Sequence, residues 1–188
     1  MKLEILSFDE ALKFIPKDKT YGIRIYDSIP NTPIPELVQS DNWIAIKEYF
    51  FNDGWPRSWK EYSWVDKNDE YFSGLLEEPW NKFHERNPGL TKESFLDYLE
   101  SQGHYSERGD LFNEKFARQI LSDYENFWEG AETILIHCNR GKNRSPAVGK
   151  AMNELYGWKI NDLEKRFPLY RRYIYNSMIK AGEEFRKQ

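Results

Sequence analysis

One segment, residues 133–156, constrains the fold of this chain more than any other. It begins with the apolar run Thr-Ile-Leu-Ile, passes through His137 and Cys138, and continues from Pro146 as an amphipathic stretch that stops at Gly157. β-Branched residues in a short apolar run favour a buried strand, and a proline at the start with a glycine past the end is typical of a helix. The segment therefore predicts a strand, a tight loop and a helix in direct succession.

Cys138, the only cysteine of the chain, lies where the strand gives way to the helix. Backbone N–H groups at a helix N-terminus lack intrahelical partners, and the helix dipole favours negative charge there. The position therefore favours a thiolate and can also hold the oxygens of an anion. Arg144 follows after five intervening residues, and its planar fork of donors fits two oxygens of a phosphoryl group. Gly141 lets the loop turn tightly at its middle.

These residue types at this spacing indicate chemistry on a phosphate ester. Cys138 is interpreted as the nucleophile that attacks phosphorus, and Arg144 as the residue that binds the phosphoryl oxygens. Ser145 places a hydroxyl where it can stabilise the sulfur as a leaving group when water hydrolyses a phosphocysteine. His137 is expected to orient the loop and not to act as a general base. The loop residues predicted to bind the substrate are Asn139, Arg140, Gly141, Lys142 and Asn143.

The loop resembles the signature of the cysteine-dependent protein tyrosine and dual-specificity phosphatases: His-Cys, five residues, Arg, then Ser or Thr. Residues 146–148, Pro-Ala-Val, are similar to the small bacterial or phage-type members. A weaker similarity covers residues 6–11, 51–53 and 173–178. The resemblance implies an α/β domain of the dual-specificity-phosphatase type and a two-step hydrolysis that needs neither a metal nor another cofactor. It also implies an aspartic acid from a separate loop as the general acid.

Other loops that hold phosphate or a reactive cysteine fit less well. A nucleotide-binding phosphate loop needs a glycine five positions before Gly141, where this chain has Ile136. Rhodanese-like sulfurtransferases place the arginine one residue closer to the cysteine. The low-molecular-weight phosphatases carry their loop near the N-terminus, whereas here the cysteine is residue 138 of 188.

Two aspartates are candidates for the general acid, which must protonate the leaving oxygen at the mouth of the loop. Asp53 ends a predicted strand in a Phe-Asn-Asp context that is similar to the acid position of the family. Asp110 lies 28 residues before Cys138, nearer the separation usual in the family, and directly precedes a predicted helix. Asp53 is favoured, and Asp110 remains the alternative.

The pattern of elements predicts an α/β fold with a mostly parallel central sheet flanked by helices, in a single domain over residues 1–188. Strands are predicted at 22–26, 43–51 and 133–136, and helices at 7–15, 113–128, 146–156 and 168–186. Ser7 and Glu10 form a capping box that opens the first helix. The side chains expected to face inward from the helices include Ile15, Phe127, Val148, Met152 and Leu155. Residues 27–35 hold three prolines and are predicted to be irregular, and residues 1–6 are assigned to no strand. In such sheets the chemistry gathers at the carboxyl ends of the strands.

Residues 54–109 exceed what is needed to join a strand to the next helix, and they are rich in aromatic residues. They predict a largely helical insertion, with one helix over 91–101. An inserted subdomain with its own small aromatic core is one interpretation. A lid over the phosphate loop is the other, because the insertion leaves the chain beside Asp53.

Composition limits the environment and the partners. The net charge is −4, which argues against broad nucleic-acid binding, although Arg140, Lys142 and Arg144 make the loop locally basic. No apolar stretch is long enough to span a bilayer, so no membrane insertion is expected. A single cysteine excludes an intrachain disulfide and favours a reducing compartment, so we expect a cytoplasmic protein.

The preferred substrate is phosphotyrosine on a protein, with phosphoserine or phosphothreonine as further possibilities. The loop sequence Gly-Lys-Asn-Arg partly resembles those of phosphoinositide phosphatases and RNA 5′-phosphatases. A nucleotide, RNA 5′-phosphate or phosphoinositide is therefore the first alternative class of substrate. A non-catalytic phosphate-binding module is the second, although retention of Cys138, Arg144 and Ser145 argues against it.

Overall fold

The structure is a computed structural model that describes residues 1–27, 33–52, 81–91, 94 and 111–187. The chain divides into two compact units, one formed by Met1–Asp53 with Phe112–Gln188 and the other by Gly54–Leu111. In the second unit, residues 81–86 are helical. Most of the predicted insertion at 54–109, including all but two residues of the helix expected over 91–101, lies outside the described residues.

The first unit is built on four parallel strands in the order β1-β4-β2-β3. The strands are β1 (Lys2–Leu6), β2 (Thr20–Tyr26), β3 (Trp43–Phe50) and β4 (Thr133–His137). The α/β fold with a parallel sheet flanked by helices is therefore confirmed. Because all strands run in one direction, their carboxyl ends meet at one edge of the sheet.

The N-terminal strand β1 corrects the sequence assignment, which placed no strand before the first helix. Lys2–Leu6 pairs with β4 along its whole length, and its Leu3 and Ile5 side chains are buried. The alternation of apolar and charged residues in this strand is only five residues long. An alternation this short does not by itself distinguish a strand from other structures. The pairing with β4 is what makes the segment a strand.

The described residues of this unit form five helices. They are α1 (Phe8–Ala11), α2 (Glu114–Phe127), α3 (Arg144–Tyr156), α4 (Leu163–Arg166) and α5 (Arg172–Phe185). None of the helices in the described ranges is long and apolar enough to cross a membrane.

Two details of the helix predictions were wrong. The capping box of Ser7 and Glu10 opens α1 as expected, but the helix stops at Ala11 and the Ile15 side chain is 63% exposed instead of buried. Phe127, expected to face inward, is 43% exposed at the last position of α2. Its ring lies 3.7 Å from the Lys47 ammonium of β3, so it contributes a cation–π contact at the surface.

Helices cover both faces of the sheet. On one face, Tyr21 of β2 packs edge-on against Tyr124 of α2, with ring centroids 5.7 Å apart. On the same face α3 lies so close to β1 that a Cβ on Gly149 would sit 3.0 Å from Ile5 Cδ1. On the other face, the Phe8 ring of α1 lies 6.1 Å from the ring of His137. The strand that carries the predicted loop is thus interior to the sheet and covered on both sides.

Helix α3 is fixed by close contact with α5 and by its C-terminus. Gly157 ends the helix in a left-handed conformation, with φ of +62°. A Cβ on Gly182 of α5 would approach the Leu155 side chain to 2.6 Å. The residues predicted to face inward from α3, Val148, Met152 and Leu155, are buried. The C-terminal half of α3 is therefore packed closely against α5.

Candidate active site

The loop 138–143 lies at the carboxyl edge of the sheet, between β4 and α3, and neighbouring elements hold it through their backbones. Phe8 N–H donates a hydrogen bond to the Asn139 carbonyl at 3.1 Å, which joins the loop to the start of α1. Arg171 N–H donates to the Asn143 carbonyl at 3.1 Å, which joins its other end to the start of α5. The loop is therefore anchored near both ends.

Gly141 occupies the point where no side chain fits. Its φ is +65°, in the left-handed region that favours glycine. A Cβ at this position would lie 2.7 Å from both Leu6 C and Ser7 N at the end of β1. Both of those atoms belong to the backbone and cannot move aside as a side-chain end could. The close approach that the sequence predicted for this glycine is made against β1.

Cys138 and Ser145 are in direct contact. The Ser145 hydroxyl donates a hydrogen bond to Cys138 Sγ at 3.2 Å, and both residues are buried. Ser145 belongs to the first turn of α3, and the side chain of the preceding Asn143 does not cap that helix. The sulfur therefore lies at a helix N-terminus with a hydroxyl donor directed at it, as the sequence predicted.

Arg144 is a buried cation with one donor unsatisfied. The residue is 2% exposed, and its Nη1 donates to the Phe51 carbonyl at 2.6 Å and pairs with Asp27 Oδ1 at 3.0 Å. Its buried Nε has no hydrogen-bond partner in the part of the chain that the structure describes. An unsatisfied buried donor costs about 1–3 kcal/mol, and more on a charged group. An acceptor oxygen supplied by a bound anion would remove that cost.

Asp27 is a residue of the site that the sequence did not single out. It directly follows β2, and its two carboxylate oxygens bind Arg144 Nη1 and, at 2.9 Å, Asn139 Nδ2. It had been assigned only to an irregular, proline-rich segment. The available signal was its place at the end of a predicted strand, where parallel sheets gather their polar groups.

His137 is fully buried and neutral at pH 7. Burial lowers its pKa from the ordinary 6.5 to about 4, and the nearby positive charge of Arg24 acts in the same direction. The backbone of Cys138 opposes both effects more weakly. Arg24 Nε lies 3.2 Å from His137 Nε2, and the guanidinium can only donate, so Nε2 is the acceptor. An uncharged ring held in this way agrees with an orienting role for His137.

The structure brings Cys138, Arg144 and Ser145 together, whereas it does not describe the predicted general acid. Both candidates for the general acid, Asp53 and Asp110, lie outside the described residues. The end of β3 does reach the site, because the Phe51 carbonyl accepts the hydrogen bond from Arg144. Arg140 and Lys142 are exposed at the rim of the loop. In the described ranges, no group of three or more His, Cys, Asp and Glu residues is arranged to hold a metal ion.

Comparison of this chain with protein-family models, with curated proteins and with solved structures found no match.

Proposed function

We propose that this chain is a cysteine-dependent phosphatase that hydrolyses phosphotyrosine on proteins, with phosphoserine and phosphothreonine as further substrates. The observation that carries the proposal is the unsatisfied Nε of the buried Arg144, one residue from a serine that donates to the only thiol. A phosphoryl group would supply the oxygen that this donor lacks, and the helix N-terminus favours its charge.

The proposed reaction has two steps. The Cys138 thiolate attacks phosphorus, the bond from phosphorus to the ester oxygen breaks, and that oxygen leaves with the electron pair and takes a proton from a carboxylic acid. Water then attacks phosphorus, the P–S bond breaks, and the sulfur leaves as a thiolate. The carboxylate formed in the first step accepts the proton from water. The Ser145 hydroxyl, which donates to Sγ, stabilises the leaving thiolate.

For the acid we propose Asp53, because it lies two residues beyond the carbonyl that accepts from Arg144. Asp27 is a weaker candidate, since its two carboxylate oxygens already bind Arg144 and Asn139. We expect Asp53→Asn to lower turnover of substrates with poor leaving groups by about 10²-fold or more, and Asp110→Asn to have little effect. Steady-state rates on alkyl and aryl phosphates measure this, and the reverse ranking would assign the acid to Asp110.

A second class of substrate, a polyanionic ester such as an RNA 5′-phosphate, a nucleotide or a phosphoinositide, is favoured by one specific observation. Arg140 and Lys142 are both exposed beside the buried Arg144, so their charges are accessible to further phosphate groups. A cytoplasmic location is proposed with either substrate, because the nucleophile is the only cysteine and needs a reducing compartment.

One substrate panel tests the function. Phosphotyrosine and phosphoserine peptides, nucleotides, 5′-triphosphorylated RNA and phosphoinositides are assayed with a chelator present, for the wild type, Cys138→Ser and Ser145→Ala. We expect activity without a divalent metal, and complete loss in Cys138→Ser. Ser145→Ala should accumulate the phosphocysteine, because breakdown of the P–S bond slows. A Cys138→Ser protein that keeps its activity, or a wild type that binds phosphate esters without turnover, would contradict the proposal.

A further inference from the structure

Arg24 is a charged residue in the interior of the sheet. It is 4% exposed on β2, which has β4 on one side and β3 on the other. Its three guanidinium nitrogens all have acceptors: Nε donates to His137 Nε2 at 3.2 Å, Nη1 to Glu48 Oε1 at 2.8 Å, and Nη2 to the Pro35 carbonyl at 2.7 Å. A buried cation is stable only when it is paired in this way, so the surroundings of Arg24 are closely defined.

The three side chains form a row across the sheet. In the strand register Arg24 lies opposite His137 of β4 and opposite Glu48 of β3, so all three project from the same face. The row begins at Glu48, whose side chain is 39% exposed, and ends at His137, which is fully buried. The ion pair of Glu48 and Arg24 is thus linked through Arg24 to His137, the residue before Cys138.

The contact determines which nitrogen of His137 carries the proton. Because the guanidinium can only donate, Nε2 must be an unprotonated acceptor, and the proton of the neutral ring is on Nδ1. The buried Nδ1 has no hydrogen-bond partner among the described residues, so the contact with Arg24 is what selects the tautomer. The ring is held further by Tyr26 and Phe8, whose ring centroids lie 5.6 Å and 6.1 Å from its own. A fixed ring restrains the backbone at His137 and with it the start of the loop.

We propose that Arg24 is a positioning residue for the nucleophile loop, which holds His137 as the Nδ1–H tautomer and so fixes the backbone that presents Cys138. Glu48 in turn holds Arg24. Neither residue touches the substrate. The role in catalysis rests on the proposed phosphatase function, whereas the tautomer and the reactivity of the thiol do not.

The first measurement is the tautomer. In ¹⁵N-labelled protein at pH 7, two-bond ¹H–¹⁵N spectra distinguish Nδ1–H from Nε2–H, and His137→Asn assigns the signal among the three histidines of the chain. We expect the Nδ1–H form in the wild type. In Arg24→Met the donor is absent, and we expect the Nε2–H form to become populated because Nε2 no longer has to accept a hydrogen bond.

The second measurement is the reactivity of the nucleophile, read as the rate of iodoacetamide alkylation of the only thiol. We expect Arg24→Met to lower this rate about tenfold, the effect of losing one hydrogen bond to a charged group. The kcat on a phosphotyrosine peptide should fall by a similar factor, with KM changed less than about twofold. Arg24→Lys keeps the charge and a donor but has one nitrogen in place of three, so it should keep the Nδ1–H form and lose less of the alkylation rate and of kcat. Glu48→Gln should show smaller losses in the same direction.

The matched control is Arg118→Met, which removes an arginine of α2 that also pairs with glutamates, Glu114 and Glu184. It should leave the tautomer, the alkylation rate and kcat unchanged. The proposal is wrong if folded Arg24→Met keeps the Nδ1–H form and the wild-type alkylation rate, or if Arg118→Met lowers the alkylation rate as much as Arg24→Met does.

Should Arg24→Met not fold, Glu48→Gln carries the alkylation readout, and the wild type carries the tautomer readout: an Nε2–H ring in the wild type would contradict the proposal. A wild type without phosphatase activity would count against the proposed function alone, because neither the spectrum nor the alkylation needs a substrate.

Discussion

Among single residues, Arg144 and Asp27 form an ion pair beside the loop. One nearly buried guanidinium faces one carboxylate, and that carboxylate also accepts from Asn139. In the proposed function, an incoming phosphate dianion would bind beside a negative charge, which opposes it. We therefore expect Asp27 to stabilise Arg144 in the empty loop and to weaken the binding of phosphate.

The substitution Asp27→Asn separates these two effects. It keeps an acceptor oxygen but removes the charge, so we expect inorganic phosphate to bind about three- to tenfold more tightly, measured by titration calorimetry. Without phosphate, the free energy of unfolding should fall by about 1 kcal/mol, because this carboxylate is partly exposed and its pairing is screened.

Asp18→Asn is the control, since Asp18 pairs with Lys2 near the amino end of β2. It should leave phosphate affinity unchanged. Weaker phosphate binding in Asp27→Asn would mean that the carboxylate positions Arg144 for the anion instead of competing with it.

At this scale the sequence identified the residues that are close together in the chain and missed those that are not. Cys138, Arg144 and Ser145 fall within eight residues, so their spacing alone indicated a shared site. Asp27 meets Asn139 across 112 residues, which only the fold brings together. Arg24 alternates with isoleucines in β2, a pattern that normally puts the charged residue in solvent. It is buried because α1 and the segment after β2 cover that face as well.

Among the contacts between elements, the one between the loop and the end of β1 most limits which residue can occupy position 141. Gly141 combines a positive φ with a backbone neighbour at 2.7 Å, whereas Gly157 at the end of α3 has nearly the same φ, +62°, and nothing within 4 Å of its Cβ position. Replacing either glycine by alanine would therefore cause the same backbone strain. Only at Gly141 would the added Cβ also collide with backbone atoms of β1 and Ser7.

Comparing Gly141→Ala with Gly157→Ala isolates the clash. Both should be destabilised by about 1–2 kcal/mol for a left-handed alanine, measured by urea unfolding. Only Gly141→Ala must displace the loop from β1, and we expect its kcat/KM to fall about 10²-fold, since misplacement by about 1 Å has that effect. Equal activity in the two variants would show that the loop tolerates the shift.

The elements also show why β4, the loop and α3 could be predicted while β1 could not. In the β4–α3 segment, nearby residues mark where each element begins and ends: a β-branched run, a Ser-Pro helix start and a terminal glycine. Strand β1 has only Leu3 and Ile5 to mark its buried face, and these are buried by α3 and β4. Its assignment depends on partners more than 125 residues away in the sequence.

At the scale of the whole molecule, His137 couples folding to pH. Its folded pKa of about 4 lies below the ordinary 6.5, so between these values the unfolded chain binds a proton that the folded chain does not. The stability due to this residue is therefore complete above pH 6.5 and is lost as the pH falls towards 4.

We expect the wild type to lose roughly 3 kcal/mol more than His137→Asn between pH 7 and pH 4.5, because asparagine does not titrate. Urea unfolding at the two pH values measures the difference, and the shared contribution of the carboxylates cancels between the two proteins. Parallel pH dependences would show that folding does not lower the pKa of His137.

The rings of Phe51 and Phe112 stack edge-on, with centroids 4.9 Å apart, at the two points where the chain leaves the first unit and returns to it. The entropic cost of closing a loop grows only with the logarithm of its length. A segment whose two ends lie close together can therefore change in length with little effect on the stability of the sheet. Residues 54–111 could thus be replaced as a whole during evolution. The two units are then free to diverge in sequence at different rates.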